Sequence, residues 1–264
     1  MAKYYYDPKI VIAAARAELG YIEKKSNKDL DDKTANAGDK NWTKYARDLD
    51  EIKYFNGRKN GITGWCAVFV CWLFWKSYGL EACEYLLCQK AGTGNCGAGP
   101  YYGMVYFKSK KRFTKTPQPG DQVFFLSASG GEAPSHTGLV VDVDSQYVYT
   151  IEGNTSVNGV AGCVAEKKYA LNNSRIAGYG RPDWGEPPAD EPDEDTGETE
   201  HESDLIDVHA YPEFQSEVIS RVDRIYSIVA LTNTGWYGVI VDGGIGWVVP
   251  SDVMLVRRGG DDDE

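Results

Sequence analysis

Two textures succeed one another along this chain, helical in the first part and extended after Pro119. Asp7 and Pro8 precede IVIAAARAELG, where a proline in the first turn and an aspartate just before it are start signals for a helix and Gly20 supplies the stop. A polar stretch rich in Lys, Asp and Asn, residues 24 to 41, separates it from a shorter predicted helix around WTKYARDLDEI, and the turn-forming FNGRKNGITG follows. WCAVFVCWLFWKSYG, from Trp65 to Gly79, is apolar on nearly every face, which predicts a helix buried inside its domain and ended by Gly79. Beyond Pro119 the runs PGDQVFFLS, HTGLVVDVD and QYVYTIEGNTS are short, rich in Val, Tyr, Phe and Ile, and bounded by Gly, Pro, Ser or Asp. They predict three strands in a meander, with CVAEKKYAL and RIAGYGRP as further strands. Helices first and an antiparallel sheet afterwards is the α+β pattern.

The longest uninterrupted apolar run, Trp65 to Trp75, has 11 residues, well short of the ~20 that a helix needs to cross a bilayer. The start, MAKYYYDPK, lacks the apolar core of a signal peptide, so the expectation is production in the cytoplasm without membrane insertion. The net charge of -11 over 264 residues argues weakly against nucleic acid as a partner. Its distribution is more informative than its total. GEPPADEPDEDTGETEHESD, residues 185–204, holds ten acidic residues, three prolines and no Lys or Arg. Such a segment cannot bury enough surface to offset its ordering entropy and reads as an extended linker. Residues 1–184 hold 24 basic and 19 acidic residues, a net of +5, and residues 205–256 hold 2 and 6. The expected organisation is a large domain at 1–184, the acidic linker, a small module at 205–256 and a charged tail at 257–264.

Six cysteines are too few for a disulfide scaffold, so each is judged by its position. Cys66 follows a Gly-rich loop and opens the buried helix, and a helix N-terminus stabilises a thiolate through its free amides and macrodipole. Three histidines could partner it. His201 lies in the acidic linker and His209 in the small module, which leaves His136, at the start of an apolar strand. The next strand ends YTIEGN, where Glu152 or Asn154 could accept the imidazole N–H and fix its tautomer. Two residues apart, they share one face of a regular strand.

GWCAVFVCW around Cys66, SHTGLVVDVD around His136 and YTIEGNTS around Glu152 resemble the signature blocks of CHAP domains, the cysteine- and histidine-dependent amidohydrolases or peptidases of bacterial cell walls. ARAELGYIEK, the NWTKYARDL block, PQPGDQVFF and RIAGYGRPDW extend the likeness and resemble the CHAP endolysins of phages and prophages from Gram-positive, clostridia-like hosts. The resemblance implies a papain-like CHAP fold with Cys66 as nucleophile, His136 as general base and Glu152 as the group orienting the histidine. Asn154 matches a further polar position of that site, and Trp65 is a candidate substrate contact. It implies peptidoglycan as partner, hydrolysed by a monomer that reaches the wall after release. Whether the bond cut is that of an N-acetylmuramoyl-L-alanine amidase or of an endopeptidase depends on cleft shape. A non-catalytic wall-binding protein with a degenerate fold and an NlpC-type cysteine peptidase are the alternatives.

No cofactor or metal is expected. FNGRKNGITG has none of the carboxylates of a calcium loop, and Asp29, Asp31, Asp32 and Asp39 are too scattered to assign as ligands. Cys71 lies about 140° around the helix from Cys66 and is expected in the core. Cys83, Cys88 and Cys96, spaced C-x4-C-x7-C, lack the C-x2-C pairs of common zinc sites. A Cys88–Cys96 disulfide is possible outside the cytosol, and Cys163 is expected as a buried thiol. In the small module, VDRIYSIVALTNTGWYGVIVDGGIGWVVPSDVML predicts an all-β barrel. GWYGVIV and GIGWVVPSDVML resemble bacterial SH3-like repeats, which implies wall binding, with Trp236, Tyr237 and Trp247 as candidate contacts.

Overall fold

The computed structural model describes residues 5–55, 60–61, 64–93 and 99–185, and five strands within 206–248. The chain divides into two units, Pro8–Asp183 and a second formed by Met1–Asp7 with Trp184–Glu264.

In the first unit, four helices are found among the described residues: α1 (Pro8–Ala17), α2 (Lys44–Glu51), α3 (Cys66–Leu86) and α4 (Pro100–Ser109). Six strands follow: β1 (Phe113–Thr114), β2 (Gln122–Leu126), β3 (Pro134–Val143), β4 (Tyr147–Val157), β5 (Val160–Ala170) and β6 (Ile176–Gly180). They form one antiparallel sheet in the order β1-β6-β2-β3-β4-β5, so the predicted meander is its centre. The α+β reading holds for this unit.

The helix starts follow the sequence. Pro8 opens α1, and Thr43 caps α2 by accepting from the Ala46 N–H at 3.1 Å. Every residue from Cys66 to Phe74 is buried, as an apolar surface on all faces requires. α3 packs against α1, α2, β3 and β4, which makes it the axis of the core. At Gly79, where the sequence reading placed the end, the helix breaks with φ 78 and ψ 175, but a second helical segment resumes and runs to Leu86. Only a residue without Cβ adopts that conformation readily, so one glycine kinks the chain rather than stopping it. α4 was also missed in the sequence: PYYGMVYFKS carries a proline at its start but little amphipathic contrast. Asp121, fully buried just before β2, accepts from Arg181 just past β6 at 3.1 and 2.9 Å and ties the two strands together.

The second unit contains β7 (Ile206–His209), β8 (Val218–Val222), β9 (Ile228–Leu231), β10 (Tyr237–Val241) and β11 (Gly244–Val248), in an antiparallel sheet ordered β8-β7-β11-β10-β9. Register sets Tyr237 opposite Val248 and Trp247 opposite Gly238. Trp236, the linker at 186–204 and the charged tail lie outside the described residues.

Candidate active site

Cys66 is the first residue of α3, with Trp65 as N-cap, and is 7% exposed. The amides of the first turn have no intrahelical acceptor, and that turn carries no acidic side chain to compete for its positive end. The structure therefore presents the thiol where a negative charge is best tolerated.

His136 stands on β3, close enough to Cys66 for the thiol to act on its imidazole. Its Nε2 lies 2.8 Å from Glu152 Oε2 on β4, which leaves Nδ1 as the nitrogen free to face the thiol. The imidazole is 21% exposed at its side chain, whereas the Glu152 carboxylate is 1% exposed. Burial pulls the His136 pKa down, but hydrogen bonds and charge interactions with Cys66 and Glu152 outweigh it and push the value up to about 10. Burial likewise opposes ionisation of Glu152, yet His136, Thr150 and Tyr169 together hold it below the usual carboxylate range. The Thr150 hydroxyl donates to Glu152 Oε1 at 2.7 Å. Tyr169, on β5, helps hold the same carboxylate ionised, and its ring packs on Phe125 at 4.8 Å. Phe125 in turn stacks near the His136 ring at 5.8 Å. Glu152 is thus held from several directions with its charge turned on the imidazole.

Strand geometry explains why Glu152 is the residue that reaches. The register Leu139↔Ile151 sets Gly138 opposite Glu152 and, continued, would set His136 opposite Asn154. Glu152 instead extends diagonally across Gly138, where an added Cβ would lie 2.6 Å from its Cγ. The β4–β5 ladder shifts between Glu152 and Thr155, and Asn154 adopts a left-handed φ of 54. That irregularity removes Asn154 from the strand alternation that would have placed it on the face of Glu152. Its side-chain amide lies over the backbone of Gly64, two residues before the cysteine.

Trp65 also differs from expectation. The indole has no exposed surface, so it has none to offer a ligand. It packs against Tyr45 at 5.5 Å, Phe69 at 6.3 Å and Tyr21 at 6.4 Å, and its Nε1–H donates to Glu23 Oε2 at 2.7 Å. The side chains of Tyr237 and Trp247 lie outside the described residues, as does Trp236.

Thr150, Tyr169 and Gly138 were not singled out in the sequence. Thr150 was recoverable, since it lies two positions before Glu152 on the same strand. Tyr169 was not, because its approach depends on how β5 pairs with β4.

The remaining cysteines are spread through the fold. Cys71, Cys83 and Cys163 are buried, and Cys83 Sγ lies 3.3 Å from the Tyr54 hydroxyl. Cys88 is a thiol that accepts from Arg112 Nη1 at 3.7 Å, and burial pushes its pKa up. Cys96 lies outside the described residues.

A search of the curated proteins finds no match to this chain. Among solved structures, the crystal structure of Ly7917 is similar at 14% identity, with 92% of each chain covered and a TM-score of 0.38. The crystal structure of Ly7917 with the hydrolyzing product of MDP is similar at 18% identity over 52% of this chain and 60% of that one, with a TM-score of 0.21. Residues 56–154, the stretch that contains Cys66, His136 and Glu152, match the CHAP domain family, which supports a CHAP-type hydrolase.

Proposed function

We propose that this chain is a peptidoglycan hydrolase that cuts an amide bond through a thioester on Cys66. The observation that carries the reading is the His136–Glu152 hydrogen bond at 2.8 Å, with Cys66 acting on the same imidazole, within a segment that matches the CHAP domain. The thiolate attacks the amide carbonyl, and backbone N–H groups at the start of α3 receive the developing oxyanion. The imidazolium gives its proton to the leaving amine, which departs as the thioester forms. The neutral imidazole then takes a proton from water, whose oxygen attacks the thioester; collapse releases the carboxylic acid and the thiolate, which restores the thiolate–imidazolium pair. Glu152 remains charged throughout, holding the ring and stabilising its protonated form.

Loss of turbidity of purified cell walls tests the assignment. Cys66→Ala falls to background, and EDTA leaves wild-type activity in place. Wild-type lysis by Cys66→Ala excludes the mechanism. Mass spectrometry of the released muropeptides identifies the new termini and so separates amidase from endopeptidase. The second unit is assigned, on its SH3-like sequence blocks, as a wall-binding module of an endolysin-type protein. Removing residues 205–264 lowers retention on walls in a pull-down while sparing hydrolysis of soluble wall fragments; unchanged retention rejects that role.

A further inference from the structure

Outside the cysteine, histidine and glutamate series, one buried carboxylate is joined to the nucleophile by a short chain of contacts. Glu23 is 5% exposed, and its one described side-chain hydrogen bond is from the indole N–H of Trp65 at 2.7 Å. Its own backbone is fixed on both sides: its N–H donates to Gly162 O at 2.8 Å, and its carbonyl accepts from the Gly38 N–H at 2.9 Å. Gly162 has φ +62, and a Cβ there would come within 2.4 Å of the Glu23 carboxyl carbon. The carboxylate is therefore clamped against β5 and has little freedom to follow the indole if the indole moves.

Trp65 receives that constraint and passes it in two directions. Through the chain it is the N-cap of α3, bonded to the nucleophile's residue, and its carbonyl accepts the Phe69 N–H at 2.8 Å as the first bond of the helix. Through space its ring lies on Gly153, where an added Cβ would be 2.6 Å from Cζ3 of the indole and 2.6 Å from Cβ of Phe69. Gly153 is the residue after Glu152. One ring thus abuts both the residue that carries the thiol and the strand that carries the orienting acid. A second carboxylate steadies the stack: Glu18 accepts from the Tyr45 hydroxyl at 2.7 Å and from Lys44 Nζ at 2.9 Å, and Tyr45 packs on the indole.

We infer that Glu23 is a positioning residue for hydrolysis, setting through the Trp65 indole the approach of Cys66 to His136. The inference rests on the reading of Cys66 and His136 proposed above. It explains why a carboxylate is kept in a buried aromatic cluster, where an apolar side chain would carry no desolvation cost. A hydrogen bond fixes the rotation of the indole about its side-chain bonds, which packing among rings of similar width does not.

Glu23→Gln and Glu23→Leu separate hydrogen bonding from packing. Glutamine keeps an oxygen acceptor for the indole N–H, whereas leucine keeps the bulk and removes it. The readouts are kcat and KM on soluble wall fragments, the rate of Cys66 alkylation by iodoacetamide located by peptide mass, and Tm. Glu23→Gln is expected to stay within about threefold of wild type in kcat. Glu23→Leu is expected to lose roughly 10- to 100-fold in kcat with KM changed by less than about twofold, and to alkylate more slowly at Cys66, as misplacement of a reacting group predicts. Trp65→Phe, which removes the N–H from the other side, is expected to follow Glu23→Leu. Folded Glu23→Leu and Trp65→Phe proteins with wild-type kcat and alkylation overturn the inference, and so do losses that track the drop in Tm alone. Failure of the underlying reading is distinct, because then Cys66→Ala itself retains activity.

Discussion

Glu152 and Glu23 are two buried carboxylates that each meet a ring nitrogen, at 2.8 and 2.7 Å, in the service of one cysteine, yet they differ in what the ring can do. The imidazole of His136 takes up a proton, so the pairing with Glu152 is a charge interaction that changes with pH. The indole of Trp65 never titrates in this range, so Glu23 acts through geometry alone. A short contact to a buried carboxylate is therefore not by itself a catalytic signature; the chemistry of the donor decides. The surroundings agree with this division. Glu152 is held ionised by His136 with support from the Thr150 and Tyr169 hydroxyls, an arrangement that favours a cation on the imidazole.

The largest expected effect is on the titrating side. His136→Ala lowers kcat by about 10² to 10⁴-fold, the range for loss of a general acid and base, read from wall turbidity. Activity near wild type would remove the base from the account. Next comes Gly138→Ala, which adds a methyl where 2.6 Å is available to the Glu152 side chain and no exposed residue is altered. The expected result is a fall in kcat of roughly 10-fold or more, through displacement of a group whose position matters at the ångström level. With it the His136 pKa should move down toward 6.5 in an NMR titration. An unmoved titration would show that Glu152 does not depend on the gap over Gly138.

The His136–Glu152 pairing also responds to pH. The folded His136 pKa is raised from 6.5 to about 10, so its contribution to stability is complete below 6.5 and is lost as pH rises through about 10. The folded Glu152 pKa is lowered from 4.5, so its contribution is present above 4.5 and is lost as pH falls through the folded value. Tm against pH should be highest between these limits, and Glu152→Gln should flatten both slopes. The smallest effect is Thr150→Val, which removes one hydroxyl from Glu152: a net hydrogen bond of ~0.5–1.5 kcal/mol corresponds to roughly a 2- to 10-fold change. No change in kcat or in the Tm profile would show that Thr150 does not tune the carboxylate.

Much of this site could be read in the sequence, because its parts sit at element boundaries that the chain marks strongly. The apolar run after Gly64 fixed the start of α3 and therefore Cys66; the alternation after His136 fixed β3. The identity of the orienting acid needed more. Regular alternation leaves Glu152 and Asn154 equivalent, and only the ladder shift after Glu152, with Asn154 at φ 54, separates them. Trp65 differs from expectation for a related reason: its neighbour is Cys66, but its indole turns toward Tyr21 and Tyr45, residues brought in by distant segments. Contacts such as that of Glu23 with Trp65, 42 positions apart, leave no periodic trace. α4 and the helical segment beyond Gly79 were missed because tertiary packing, not local pattern, stabilises them.

The central claim is that Cys66 is activated by His136 with Glu152 behind it. Its most direct test is the rate of Cys66 alkylation by iodoacetamide from pH 5 to 10 in wild type, His136→Ala and Glu152→Gln, with the modified cysteine located by peptide mass. The account predicts rapid labelling of wild-type Cys66 near neutral pH, a slower rate in Glu152→Gln, and in His136→Ala a rate that rises only as an ordinary thiol ionises. Superimposable profiles for the three proteins would contradict it.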